Sequence, residues 1–273
     1  MTLKTILSAA LMAGMTMTTI SCGMSSNDIK LIINGSKDSD GYRDSGKWGE
    51  VTDKTINVGQ QFNAITINGG CNVDLTQGKD VMLVAHGNEK AIEAYEIKVK
   101  DSTLVISKKK EFNKTVTLPK ITLNISHPEI NDVFINGAGD IDIKEDYKIN
   151  GSLSININGA GDMESKKIEC EGFSINVNGA GDFISKKITC NKDAEFTISG
   201  AGDIDTNVKA QKVSTTISGA GDAKVEVDCT DLYVTIMGAG DIELKGKCIN
   251  FHKGTTNLNS IDSKKLQYNK KKI

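Results

Sequence analysis

Ile135-Asn136-Gly137-Ala138-Gly139-Asp140-Ile141 reads as a strand run into a glycine corner and out again, and its tetrad Gly-Ala-Gly-Asp returns at Gly159, Gly179, Gly200, Gly219 and Gly238. The steps are 22, 20, 21, 19 and 19 residues. A fixed period near twenty residues marks a solenoid, in which each repeat stacks on its neighbours. Apolar residues alternate on both sides of every tetrad, as Ile155 and Ile157 do before Gly159 and Ile141 and Ile143 do after Asp140, so one face of each short strand points inward. The expected fold is all-β: a right-handed parallel β-helix with ~20-residue coils, right-handed because parallel crossovers almost always are. Each coil should rise about 4.8 Å, the spacing of paired strands. Three short strands per coil are expected, the third around Ile149, Ile168, Ile188, Val208, Val227 and Ile249.

Upstream of the regular coils, Ile67-Asn68-Gly69-Gly70-Cys71-Asn72-Val73 aligns with Ile135 to Ile141 and reads as a degenerate copy. Further strands are expected over residues 81–85, 97–99, 104–107, 116–118 and 121–125, with one turn of helix within 87–94. Pro119 and Pro128 fall at the breaks between them. Residues 23–57 are polar apart from an apolar island at 29–33, which predicts a tether. Lys4 followed by an apolar stretch over 6–20 predicts a secretory signal, and Ile20-Ser21-Cys22 is similar to a bacterial lipobox, with Thr19 where Leu is usual. Cys22 is therefore the expected lipidation site, the alternative being a cleaved signal with an unmodified Cys22. The expected organisation is a signal over 1–22, a tether over 23–57, an irregular first part over 58–132, regular coils over 133–258, and a closing strand with a basic tail over 259–273. The run Lys270-Lys271-Lys272 is expected to discourage further stacking on the open end.

Several of these features also carry a family likeness. The Ile-x-Ile-Asn-Gly run after Phe62, the Gln77-Gly78 turn, the Leu104-Val105-Ile106 strand and the segment from Ile121 through Pro128 to Asp140 resemble the putative autotransporter adhesin family with a head GIN domain. The likeness spans about residues 58–250. That family is typical of secreted lipoproteins of Bacteroidota, and the resemblance implies a parallel β-helix at the outer membrane, the cell surface or in the periplasm. It supplies no ligand and no catalytic residues to transfer.

Stacking turns each motif position into a column. The first is Asp140, Asp162, Asp182, Asp203, Asp222 and Asp241, shadowed two residues later by Asp142, Glu164, Asp205 and Glu243. Carboxylates about 4.8 Å apart repel by roughly 1 kcal/mol per pair in water. One remedy is capping of backbone N–H groups within each Asp's own turn, aided by Lys144, Lys166, Lys167, Lys186, Lys187, Lys245 and Lys247 just beyond the acids. The other is calcium held between coils by carboxylates and turn carbonyls, although Gly-Ala-Gly-Asp lacks the fuller Gly-Gly-x-Gly-x-Asp pattern. The tetrad glycines suit positive φ angles and close approach of coils. A second column reads Cys170, Cys190, Ala210, Cys229, Cys248. It fits small buried thiols, and in an oxidising compartment also disulfides Cys170–Cys190 and Cys229–Cys248.

Catalytic patterns are sparse. His86, His127 and His252 are scattered, with His127 beside Pro128 reading as a turn residue, and the single Arg43 lies in the tether. Neither Gly-x-Ser-x-Gly nor His-Glu-x-x-His occurs. A net charge of -2 with both signs interspersed argues against a nucleic-acid partner. The sequence therefore predicts a non-enzymatic, lipid-anchored cell-envelope binding or structural module whose partner is a glycan, an envelope protein or a host protein, held to the membrane through its lipid. The alternative is a β-helix carbohydrate-active enzyme, a polysaccharide lyase or hydrolase.

Overall fold

The computed structural model describes residues 48–112, 118–255 and 261–269. The signal, Cys22, the tether up to residue 47 with its apolar island and Arg43, and Lys270-Lys271-Lys272 lie outside the described residues, as does most of the strand expected over 116–118.

All but a few of the described elements are strands, and they form a β-solenoid. One parallel sheet holds the strands that precede each corner. It contains β2 (Ala64–Asn68), β8 (Asp132–Ile135), β11 (Leu153–Ile157), β13 (Phe173–Val177), β15 (Asp193–Ile198), β17 (Lys212–Ile217) and the later parts of β18 (Ala223–Ile236) and β19 (Ile242–Thr255). The strands that follow each corner form the other. These are β3 (Asn72–Gln77), β9 (Ile141–Ile143), β12 (Met163–Cys170), β14 (Phe183–Cys190), β16 (Ile204–Lys209), the early parts of β18 and β19, and β20 (Ile261–Gln267).

The register places like on like. Ile67, Ile135, Ile157, Val177, Ile198, Ile217 and Ile236 form one buried column, and Val73, Ile141, Met163, Phe183, Ile204, Ala223 and Ile242 form another. Each strand alternates buried and outward residues, so burial of β-branched side chains and the main-chain ladder reinforce each other at every layer. A few inward positions are polar, Ser165, Ser185, Thr206 and Thr215 among them. Thr215 sits between Phe196 and Val234 at 1% exposure, and its hydroxyl has no hydrogen-bond partner among the described residues. Thr215→Val should therefore stabilise by about 1 kcal/mol, since an unsatisfied buried hydroxyl is replaced by a methyl of similar size. A rise in Tm of roughly 2–4 °C is the expected reading.

Two expectations are corrected. The second and third strands of each coil are continuous in β12, β14 and β16, and in β18 and β19 only the tetrad corner interrupts the run. The third column runs through Tyr147, Ile168, Ile188, Val208, Val227, Gly246 and Leu266. Ile149 is buried two residues beyond Tyr147, whereas Ile249 is 51% exposed. At Gly246, whose φ is +91°, a Cβ would lie 2.1 Å from the Val227 carbonyl oxygen, so the chain approaches too closely there for a side chain.

Over residues 58–132, the expected irregular first part, the chain does not simply continue the stack. After β2 and β3 the chain makes β4 (Met82–Asn88), helix α1 (Glu89–Glu93), β5 (Tyr95–Lys100), β6 (Thr103–Lys108) and β7 (Thr122–His127). β6 pairs with β2, and β7 with β3, both on the side opposite β8 and β9. The first coil in sequence is thus the second in space. The end of the stack is closed by antiparallel pairs, β5 on β6 and β4 on β7, with β1 (Val51–Thr55) outside β4. Such a change of direction blunts the edge that a parallel stack leaves open.

Candidate functional site

The corners are the most regular chemistry on the molecule, and the backbone builds them. Each Ala N–H donates to a Gly carbonyl one coil away: Ala160 to Gly137, Ala180 to Gly159, Ala201 to Gly179, Ala220 to Gly200 and Ala239 to Gly219, at 2.8–2.9 Å. The tetrad glycines do not have positive φ, contrary to expectation. They are glycines because the coils approach closely. A Cβ on Gly159, Gly179, Gly200, Gly219 or Gly238 would stand 1.8–1.9 Å from a carbonyl oxygen of the preceding corner.

The aspartate column is capped across coils rather than within its own turns. Asp162 N–H donates to Asp140 Oδ1 at 3.1 Å, and Asp182 to Asp162, Asp203 to Asp182, Asp222 to Asp203 and Asp241 to Asp222 follow at 2.8 Å. The ladder starts on Asn72, whose Oδ1 accepts the Asp140 N–H at 3.3 Å. Each bond that ends on an Asp carboxylate is charge-assisted, and this offsets the repulsion between neighbouring carboxylates. Two of the expected lysines serve the second acidic column. Lys144 bridges Asp142 at 2.5 Å and Asp74 at 3.3 Å, and Lys245 meets Glu243 at 3.2 Å. Lys120 approaches Asp140 at 3.5 Å, Lys247 pairs with Asp228, and Lys167 with Glu169. Calcium would have to share carboxylates that already cap main chain. Among the described residues no group of three or more His, Cys, Asp or Glu is arranged to hold a metal.

A second ladder lay unread in the sequence. Asn136 donates through its side-chain amide to Asn68, Asn158 to Asn136 and Asn178 to Asn158, at 2.9–3.0 Å. Its signal was the Asn before the first tetrad Gly, replaced later by Ser199, Ser218 and Met237. Outside these corners the two sheets differ in surface chemistry. The outward columns of β11, β13, β15, β17 and β18 are mostly short and neutral, with Ser154, Ser174, Glu195, Ser214 and Tyr233 in one and Asn156, Asn176, Thr197, Thr216 and Thr235 in the next. The outward positions of β12, β14, β16 and early β18 carry Glu164, Lys166, Lys186, Lys187, Asp205, Lys224 and Glu226, all exposed.

The cysteine column forms as spaced. Cys170, Cys190, Cys229 and Cys248 are all buried free thiols, and the register pairs Cys170 with Cys190 and Cys229 with Cys248. Cys71, a fifth buried free thiol, lies elsewhere in the core.

The three histidines stay apart, as two pairings and one burial show. His86 meets Asp53 at 2.8 Å on the cap, and His252 stacks on Tyr233 with centroids 4.4 Å apart. His127 ends β7, buried with its ring 4.4 Å from that of Phe62, and its Nδ1 accepts the Glu129 N–H at 3.1 Å. Glu129 in turn accepts from the N–H groups of Asn150 and Gly151, while the Tyr147 hydroxyl accepts the Ile130 N–H at 2.9 Å. This turn fastens the cap to the coils. Burial pushes the His127 pKa below its usual value. The folded state then binds fewer protons than the unfolded one, so the contribution is complete above about pH 6.5 and falls as pH drops below it. His127→Asn should flatten the dependence of Tm on pH between about 6.5 and 5, a window in which one such group imposes at most about 1.4 kcal/mol per pH unit.

A depression of about 420 Å³ opens at the cap, lined by Ile56, Val58, Val81, Met82 and Leu83 among others. Among the described residues no helix is long and apolar enough to cross a membrane.

A family model described as "Putative auto-transporter adhesin, head GIN domain" matches residues 61–206 and 184–273. Three solved structures share the fold. A putative adhesin from Bacteroides fragilis is 20% identical with a TM-score of 0.67, over 81% of this chain and 98% of that one. A putative adhesin from Parabacteroides merdae is 18% identical with a TM-score of 0.57, over 81% and 97%. A protein from Parabacteroides distasonis described as a putative lipid binding protein is 20% identical with a TM-score of 0.54, over 81% and 98%. No curated protein matches the sequence significantly.

Proposed function

Because the chain belongs to the putative auto-transporter adhesin family with a head GIN domain, we propose that it is a non-enzymatic, adhesin-like binding module of the cell envelope, anchored through lipid on Cys22. The observation that carries this reading is the pair of outward faces, one mostly short and neutral and one charged, each stacked at the coil spacing over a filled apolar interior. Such a surface offers many weak, evenly spaced contacts along one axis. That arrangement suits a repetitive partner, because linked contacts multiply affinity without any single deep pocket. The partner is a glycan or an envelope or host protein.

The test is retention of the purified full chain, in detergent, on a glycan array and on immobilised envelope fractions. Saturable binding to one glycan class or one protein is expected, weakened at least about tenfold by the triple charge reversal Lys166→Glu, Lys186→Glu and Lys187→Glu on the charged face. Absence of retention in both formats overturns the proposal. Cleavage of an arrayed glycan would assign the protein to the enzymes instead.

A further inference from the structure

The thiols of Cys170 and Cys190 lie on adjacent parallel strands, β12 and β14, in direct register and on the inward side. Their Sγ atoms are 3.4 Å apart. We propose that these two residues are a covalent modification site: an inter-coil disulfide, installed by a disulfide-bearing oxidant, that staples the coil of Gly159 to the coil of Gly179.

The geometry is favourable. Neighbouring strands stand about 4.8 Å apart, inside the Cα separation a disulfide spans, and the sulfurs need to close by only ~1.4 Å to reach bonding distance. Both residues are the last of their strands, next to the turns that lead into β13 and β15, where side-chain rotation disturbs least ladder. The column itself shows that the position does not need sulfur for packing, since Ala210 fills it in the next coil. Among the described residues, a thiol–thiol hydrogen bond joins this pair, whereas Cys229 and Cys248 are in register without one.

The chemistry has a direction. The hydrogen bond from Cys190 holds the Cys170 thiol below its ordinary range, and the same contact, with burial, pushes Cys190 up. Cys170 is therefore the attacking thiolate. It displaces one thiolate from the oxidant's disulfide to give a mixed disulfide. Cys190 then loses its proton, attacks the Cys170 sulfur and releases the second thiolate. Two protein thiols are oxidised to one disulfide, and one oxidant disulfide is reduced to two thiols.

In a stack whose stability is a sum over neighbouring layers, a bond across one interface removes that interface as a place to open. The experiment exposes the folded full chain to oxidised glutathione, alkylates it, and maps peptides without reductant. A single cross-linked pair containing Cys170 and Cys190 is expected, with Tm about 5 °C or more above that of the reduced protein. Cys170→Ala and Cys190→Ala should each fold and lose the redox-dependent shift. Alkylation of both thiols after oxidation, pairing of Cys170 with any other cysteine, or an unchanged shift in the alanine variants would overturn the assignment. None of these outcomes depends on whether the protein binds a glycan.

Discussion

Gly181→Ala is expected to cost more than about 4 kcal/mol, whereas Gly70→Ala should leave stability within about 1 kcal/mol of the original. Gly181 is the second glycine of its tetrad, Gly70 stands where the regular corners carry Ala, and neither has positive φ. The difference lies in what the new methyl would meet. At Gly181 a Cβ would stand 2.0 Å from the Gly161 carbonyl oxygen and 3.0 Å from Ile157 Cγ2. The first is main chain, fixed by the corner and its ladder, so relief requires that two coils separate. Separation strains the 2.9 Å bond from Ala180 N–H to Gly159 and the 2.8 Å bond from Asp182 N–H to Asp162. Effects above 4 kcal/mol are reserved for this kind of unrelievable overlap. Gly70 has nothing within 4 Å of the added methyl, and alanine also restricts the unfolded chain there. Chemical denaturation of both variants, run with reductant so that no bond between Cys170 and Cys190 holds the same interface together, separates the outcomes. Equal stability of the two would show that the corners do not approach as described.

The same corner explains why the architecture was legible. A glycine that cannot accept a Cβ leaves its mark in every coil, so the period survives where the flanking residues drift, from Asn178 to Ser199 or from Ile184 to Asp205. The aspartates were also visible as a column. Their bonding was not, because the partner of Asp182 is the N–H of Asp203, a contact set by stacking rather than by local turn propensity. The order of layers over residues 58–132 could not be read for a related reason. Nothing near Ile65 states that Leu104 lies on one side of it and Val133 on the other. Those pairings depend on long-range register, and no repeat copies them. The displacement of the inward position to Gly246 from the expected Ile249 arose from counting residues at a fixed spacing, when the direct partner of Val227 is a glycine. For the site, the outward columns were countable in advance, but their division into a neutral sheet and a charged one required knowing which strands share a sheet.

Phe196→Ala should cost about 3–5 kcal/mol and is expected to do so at the upper end of that range. The ring is fully buried, 5.6 Å from that of Phe173, which in turn lies 5.7 Å from that of Phe183. Removal of a buried phenyl group loses its transfer free energy and leaves a cavity whose cost depends on how far the surroundings collapse. Here collapse is restrained. β15 is bonded to β13 on one side and β17 on the other, each pairing over five or more residues, and the spacing of strands along the axis is set by main-chain hydrogen bonds, not by side chains. The neighbours cannot move inward along the stack without breaking that ladder. A comparison residue makes the reasoning testable: Phe251 lies near the end of the sheet, only partly buried, against Tyr268, so Phe251→Ala should cost well under half as much. The mode of unfolding should differ as well. A mid-stack defect weakens one interface in a linear array, and the layers on either side retain their own contacts. Urea unfolding of Phe196→Ala should thus broaden or split into two transitions with a reduced m-value, while Phe251→Ala keeps the m-value and shifts the midpoint slightly. Identical single transitions at reduced midpoint for both variants would mean that the solenoid unfolds as one unit, and that its interior transmits packing defects along the axis more strongly than neighbour-to-neighbour stacking allows.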